Sequence, residues 1–192
     1  MPLNDNAVII PGRGTVFYGP PSTQPPNLDT LDPAAEATYT GWTWLGHTSR
    51  DNQVGLSKSG GEKTTKGTWW NTALRATTSP TEWDVTVNAL QVDIDTLGLA
   101  FPGGTVDANG MFLVPDDPGS NERALFVWMI DSTAHMGLWW PKVDLGLGDA
   151  PSIDVENFFE IQLAGKSLSV DRTRMGIIPP RPLPTVEVPA TT

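Results

Sequence analysis

The chain contains no cysteine in its 192 residues. That absence excludes disulfides, zinc–thiolate centres and thiol nucleophiles. No apolar run approaches the roughly 20 residues that span a bilayer as a helix. The opening Met1-Pro2-Leu3-Asn4 lacks the basic region and apolar core of a secretory signal. The expectation is a soluble protein made in the cytoplasm. Cations are scarce too: twelve Lys and Arg face 22 Asp and Glu, for a net charge of −10. Both halves of the chain are acidic, and no basic stripe is present to grip phosphates. Such a surface repels nucleic acid.

Histidine is nearly absent. His47 and His135 are the only two, and a turn expected between Asp131 and His135 breaks any helical ligand spacing, so both read as structural. The chain carries no Gly-x-Ser-x-Gly elbow, Rossmann fingerprint or His-Glu-x-x-His. Gly60-Gly61-Glu62-Lys63-Thr64-Thr65 imitates a phosphate loop but lacks the upstream glycine and the preceding apolar strand. Carboxylate pairs such as Asp116-Asp117, or Glu156 with Glu160, are explained by turns and a solvated strand face. No catalytic residue, metal site or cofactor is assigned, and the chain is not expected to be an enzyme.

What is abundant is tryptophan, with eight residues, alongside 19 glycines and 18 prolines. Glycine and proline at that level favour turns over long helices. Short runs rich in Val, Thr and Trp between turn clusters indicate a mainly β fold, a β-sandwich or barrel-like domain. Adjacent side chains of a strand point to opposite faces. The pairs Trp69-Trp70 and Trp139-Trp140, read as strand residues, therefore need cover on both sides.

In chain order, residues 7–18 read as a strand interrupted by Pro11-Gly12, and residues 39–47 as another strand. Residues 46–66 form a long polar loop with Arg50, Lys58, Lys63 and Lys66 against Asp51 and Glu62, four of the twelve cations. A hairpin is expected over residues 68–90, turning at Ser79-Pro80-Thr81. In its second strand Trp83, Val85, Val87 and Ala89 share one face. Asp93 or Asp95 caps a short helix that packs through Ile94, Leu97 and Phe101. Residues 123–130 are apolar on both faces, which marks a central strand carrying Trp128. Residues 153–163 read as the last strong strand. Residues 1–171 make one β domain, and residues 172–192 a Pro-rich extended tail.

The order of these features resembles the major tail (tail tube) proteins of long-tailed actinobacteriophages. The resemblance runs through Asn4-Asp5-Asn6-Ala7-Val8-Ile9-Ile10, Trp44-Leu45-Gly46-His47-Thr48-Ser49, the Gly/Lys loop and Gly67-Thr68-Trp69-Trp70. It continues through the helix closed by Phe101-Pro102-Gly103-Gly104 and through Asn157-Phe158-Phe159-Glu160-Ile161-Gln162-Leu163. It covers roughly residues 4–170. The resemblance implies a self-assembling virion protein, assembled in the host cytoplasm, that forms stacked hexameric rings. It further implies a tube through which genomic DNA passes without specific binding, with tape measure and tail terminator proteins as further partners and no membrane. On this reading Arg50, Asp51, Lys58, Glu62, Lys63 and Lys66 make inter-ring contacts. Trp69, Trp70, Trp83, Trp128, Trp139 and Trp140 serve core or subunit interface. The alternative is a carbohydrate-binding or receptor-facing β-sandwich virion protein that uses its tryptophans as a stacking platform.

Overall fold

The computed structural model describes Leu3 and residues 7–31, 39–52 and 54–183. Residues 4–6, part of the early family-like segment, and the tail beyond residue 183 lie outside the described residues. Twelve strands and one short helix follow in the order β1 (Arg13–Gly19), β2 (Thr43–Trp44), β3 (Gly55–Gly60), β4 (Lys63–Lys66), β5 (Arg75–Thr78), β6 (Thr81–Ala89), α1 (Ile94–Ala100), β7 (Thr105–Val106), β8 (Phe112–Leu113), β9 (Glu122–Ile130), β10 (Ala134–Leu147), β11 (Ile161–Ser167) and β12 (Gly176–Pro182). The mainly β expectation holds.

Eight strands make one antiparallel sheet in the order β2-β1-β9-β10-β11-β6-β3, with β12 also paired to β10. The 14-residue β10 is long enough to serve two partners along one edge. Its first half pairs β12 and its second half pairs β11. The opposite edge pairs β9, with a register shift between Trp140 and Val143. Such a bulge bends a strand and increases its twist.

The sheet is buried on both faces where β1, β9 and β10 lie side by side. On one face Val16, Leu125, Val127, Trp140, Val143 and Ile161 form a core that α1 covers through Leu99 and Ala100. On the other, Phe17, Leu28, Leu31, Trp42, Phe126 and Trp128 form a second core beneath residues 20–31, which follow β1. The period of two in β9 explains this division: Leu125 and Val127 point one way, Phe126 and Trp128 the other. The expected central strand is thus central.

Sequence and structure part at several places, the first being the strand expected over residues 7–18, which starts only at Arg13. The strand expected over residues 39–47 is reduced to Thr43–Trp44, with Trp42 buried just outside it. Of the two expected caps Asp93 is the one that caps α1, its Oδ1 accepting from the Thr96 N–H at 2.8 Å, but the helix packs differently from the expectation. Its buried side is Thr96, Leu99 and Ala100, so Leu97 and Phe101 pack only at the core's rim and Ile94 stands outside, 57% exposed. Residues 153–159 are no strand: Ile153, Val155 and Phe158 are exposed, and β11 starts only at Ile161, where pairing with Ala89 of β6 begins. Gly176–Pro182, expected as free tail, is a sheet strand on β10. Lastly, Gly55–Gly60 and Lys63–Lys66, expected within a long polar loop, are strands, and the hairpin over residues 68–90 does not form as expected.

The reason lies in the pairing of β3 to β6. β3 pairs β6 from Gly55↔Thr86 to Gly60↔Thr81, and β4 pairs β5 from Lys63↔Thr78 to Lys66↔Arg75. The two ladders are one ribbon, kinked where Gly60 and Gly61 take left-handed φ values of 70° and 73° opposite Ser79-Pro80. A side chain at Gly60 would sit 2.1 Å from the Pro80 carbonyl oxygen, so only glycine fits the kink. The Glu62 N–H donates to Ser79 Oγ and the Ser79 N–H to the Glu62 carbonyl, which carries the pairing across it. Ser79-Pro80 is therefore a corner within a ribbon strand and not a hairpin turn. The true reversal spans residues 67–74.

Candidate assembly surface

Past the kink the ribbon buries almost nothing of itself. Every residue from 62 to 80 is exposed. β4 and β5 carry Thr, Lys, Arg and Ala, which have no apolar face to offer a core, so the ladder projects as an arm held by hydrogen bonds between its own two strands, mostly backbone ones. At its tip the Asn71 N–H donates to Thr68 Oγ1 at 3.2 Å, and the Ala73 N–H to Asn71 Oδ1 at 3.1 Å. These local bonds fix a tight reversal. Trp69 and Trp70 ride on it, 102% and 98% exposed, with Leu74 beside them at 62%.

The tryptophans assigned from sequence thus divide three ways. Trp128 and Trp140 are core residues, each at most 3% exposed. Trp83 and Trp139 are half-buried, the latter donating through Nε1 to the Thr23 carbonyl at 2.9 Å. Trp69 and Trp70 lie in a turn, not in a strand, and among the described residues nothing covers either ring. Alternation along a strand is the wrong geometry for this pair.

The charged residues assigned to the polar segment also divide. Lys58, Glu62, Lys63 and Lys66 are on the ribbon, where Arg75 joins them. Arg50 and Asp51 are elsewhere, in a turn tied to the body by Ser49 Oγ and Asn52 Nδ2, which donate to Glu160 at 2.6 and 2.8 Å. The ribbon from residue 55 to 80 holds four cations and one carboxylate in a chain of net charge −10. Among the described residues the ion pairs are Lys142–Glu122, Lys166–Glu82 and Arg181–Asp29, none involving an arm cation.

His135 is fully buried, and its Nδ1 accepts from Trp128 Nε1 at 3.3 Å. Burial pushes its pKa down; the Asp29 carboxylate acts against that and Arg181 with it. This neutral imidazole supports the second core. Asp131 points elsewhere, accepting from the Ile10 and Ser132 N–H groups, so the two do not make a dyad. Among the described residues no group of three or more His, Asp or Glu side chains is arranged to hold a metal ion. Nor, among these residues, is any helix long and apolar enough to cross a membrane.

A two-core antiparallel sheet with an uncovered basic arm defines a structural building block. Comparison with known proteins assigns it. Residues 1–175 match the family described as phage tail tube protein. The major tail protein Gp23 of Mycobacterium phage L5 is 32% identical over 164 residues, covering 82% of each chain. The major tail protein Gp23 of Mycobacterium phage D29 is 29% identical over the same length and coverage. The chain belongs to the phage tail tube protein family and is a structural component of the virion tail. Its relatives are structural proteins, and their names carry no enzymatic activity.

Proposed function

We propose that this chain assembles into hexameric rings that stack into the tail tube, and that genomic DNA passes to the host through the bore without specific binding. The rings engage one another through the ribbon arm, and the finished tube engages the tape measure and tail terminator proteins at its core and end. The observation that carries this reading is the arm itself. A projecting two-stranded ribbon is marginal in water, and here it places two tryptophans and a leucine in solvent. An exposed apolar group of that kind marks an interaction site. The excess of carboxylates elsewhere suits a wall past which DNA slides.

Electron microscopy of the purified chain tests the reading, with rings and tubes as the expected result. Removing residues 63–78 and rejoining Glu62 to Ser79, whose backbones already share a hydrogen bond of 3.0 Å, leaves the β3–β6 ladder whole. That deletion is expected to give rings without stacked tubes; normal tubes from it refute the arm's role. A chain that remains monomeric at high concentration refutes the reading altogether.

A further inference from the structure

A second surface of the chain is as uncovered as the arm tip. The connection from β10 to β11 presents Ile153, Val155 and Phe158 at 90, 98 and 81% exposure. It also carries Asp149, Asp154, Glu156 and Glu160, with no Lys or Arg among residues 148–160. It is not shapeless. Asp154 accepts from the Glu156 N–H at 3.0 Å and from the Asn157 side chain, and these bonds hold its carboxyl below the usual carboxylate range. The apolar side chains therefore stand on a locally ordered acidic turn.

The arm tip is its chemical complement. Lys66 and Arg75 face each other directly across the last pair of the arm ladder. Like charges in that position repel, and among the described residues no carboxylate pairs with either of them. Immediately beyond them are the exposed rings of Trp69 and Trp70. One surface is apolar and basic, the other apolar and acidic, and neither is covered by the described residues of a single chain.

We propose that the arm tip of one copy docks on the residue 149–160 connection of another copy, with Trp69 and Trp70 against Val155 and Phe158 and with Lys66 and Arg75 facing Asp149 and Glu156. This rests on the self-assembly reading and names the surface that receives the arm. The two patches differ, so the contact is heterologous and propagates from copy to copy instead of closing as a symmetric pair. The charges set register and suppress wrong pairings, while the rings supply the buried area.

The cysteine-free chain makes the test direct. A variant carrying Trp70→Cys and Val155→Cys, oxidised under assembly conditions, is expected to give a ladder of cross-linked multimers that neither single variant gives. Charge reversal supplies the second arm. Lys66→Glu with Arg75→Glu, and separately Asp149→Lys with Glu156→Lys, are each expected to raise the concentration needed for assembly at least tenfold. The fourfold combination should recover most of that loss. All four positions are exposed, and unfolding curves matching wild type confirm that each variant folds. Wild-type tubes with no ladder and no recovery in the fourfold variant overturn this contact while leaving the tube reading standing. Absence of any ring or tube from the wild type overturns both. Binding to anionic vesicles that Trp69→Ser with Trp70→Ser abolishes, without a ladder, assigns the tip to a membrane and overturns the proposal.

Discussion

Replacing Trp69 and Trp70 together by serine separates folding from assembly in one experiment. In the single chain both rings are already in water, at 102% and 98% exposure. Folding removes no area from them, so the double variant should match wild-type folding stability to within about 0.5 kcal/mol, as surface changes do. Trp140→Ala is the contrast. That ring is 0% exposed at the centre of the larger core, and its loss should cost about 3–5 kcal/mol in transfer and cavity terms. Assembly should invert the order of the two. A tryptophan offers about 150–250 Å², or roughly 4–6 kcal/mol if wholly buried in a contact. Even about 1.4 kcal/mol of that total, left after ordering the arm, shifts the concentration required for assembly tenfold. Urea titration of dilute protein and sedimentation of concentrated protein measure the two quantities on one preparation. The reasoning is refuted if the serine variant unfolds more easily by over about 1 kcal/mol, because the tip then packs on its own chain. Assembly at the wild-type concentration refutes the other half.

Three further outcomes follow from particular contacts. Gly60→Ala forces a β-carbon toward the Pro80 carbonyl at a φ of 70°; a loss of about 1–3 kcal/mol is expected, with the arm amides exchanging hydrogen faster than the core strands. Asp93→Ala removes the cap that accepts from Thr96 and should cost about 1 kcal/mol in chemical unfolding, while Asp93→Asn keeps most of it. For His135, burial lowers the folded pKa beneath the unfolded value of about 6.5. On acidification the unfolded chain takes the proton first, so this contribution is complete above about pH 6.5 and is lost as the pH falls towards the folded pKa. His135→Asn should flatten the slope of unfolding free energy between pH 7 and 5.5; an unchanged slope means that His135 is not its source.

What was legible in the sequence followed from burial. β9 announced itself as apolar on both faces because it lies between β1 and β10 with a core on each side. Val85, Val87 and Ala89 alternated cleanly because one face of β6 meets the core. The helix cap at Asp93 is a local hydrogen bond and needed no tertiary information. The arm was illegible for the converse reason: a ribbon that buries neither face leaves no periodicity in its side chains, so β3 and β4 looked like a polar loop. Residues 153–159 show the opposite failure. Their alternating Ile, Val and Phe imitate a strand, yet among the described residues no partner edge pairs with them. Trp69-Trp70 fell to the same ambiguity. Large apolar residues signal burial, but sequence does not say whether the cover comes from the same chain. The tryptophans that folding buries and those it leaves out are indistinguishable by composition.

The ribbon's continuity has a mechanical consequence. Its strands run across the kink into β3 and β6, and β6 is itself laddered to β11 through six residue pairs from Ile161↔Ala89 to Lys166↔Asp84. Tension applied at the tip along the ribbon therefore loads those pairs in shear, all at once, instead of peeling them one by one. The corner at Gly60 and Gly61 lies in that path and is itself bridged, the Gly61 N–H donating to the Pro80 carbonyl at 3.3 Å. A pull on the arm is thus delivered through β6 to β11, which lies beside the long strand β10.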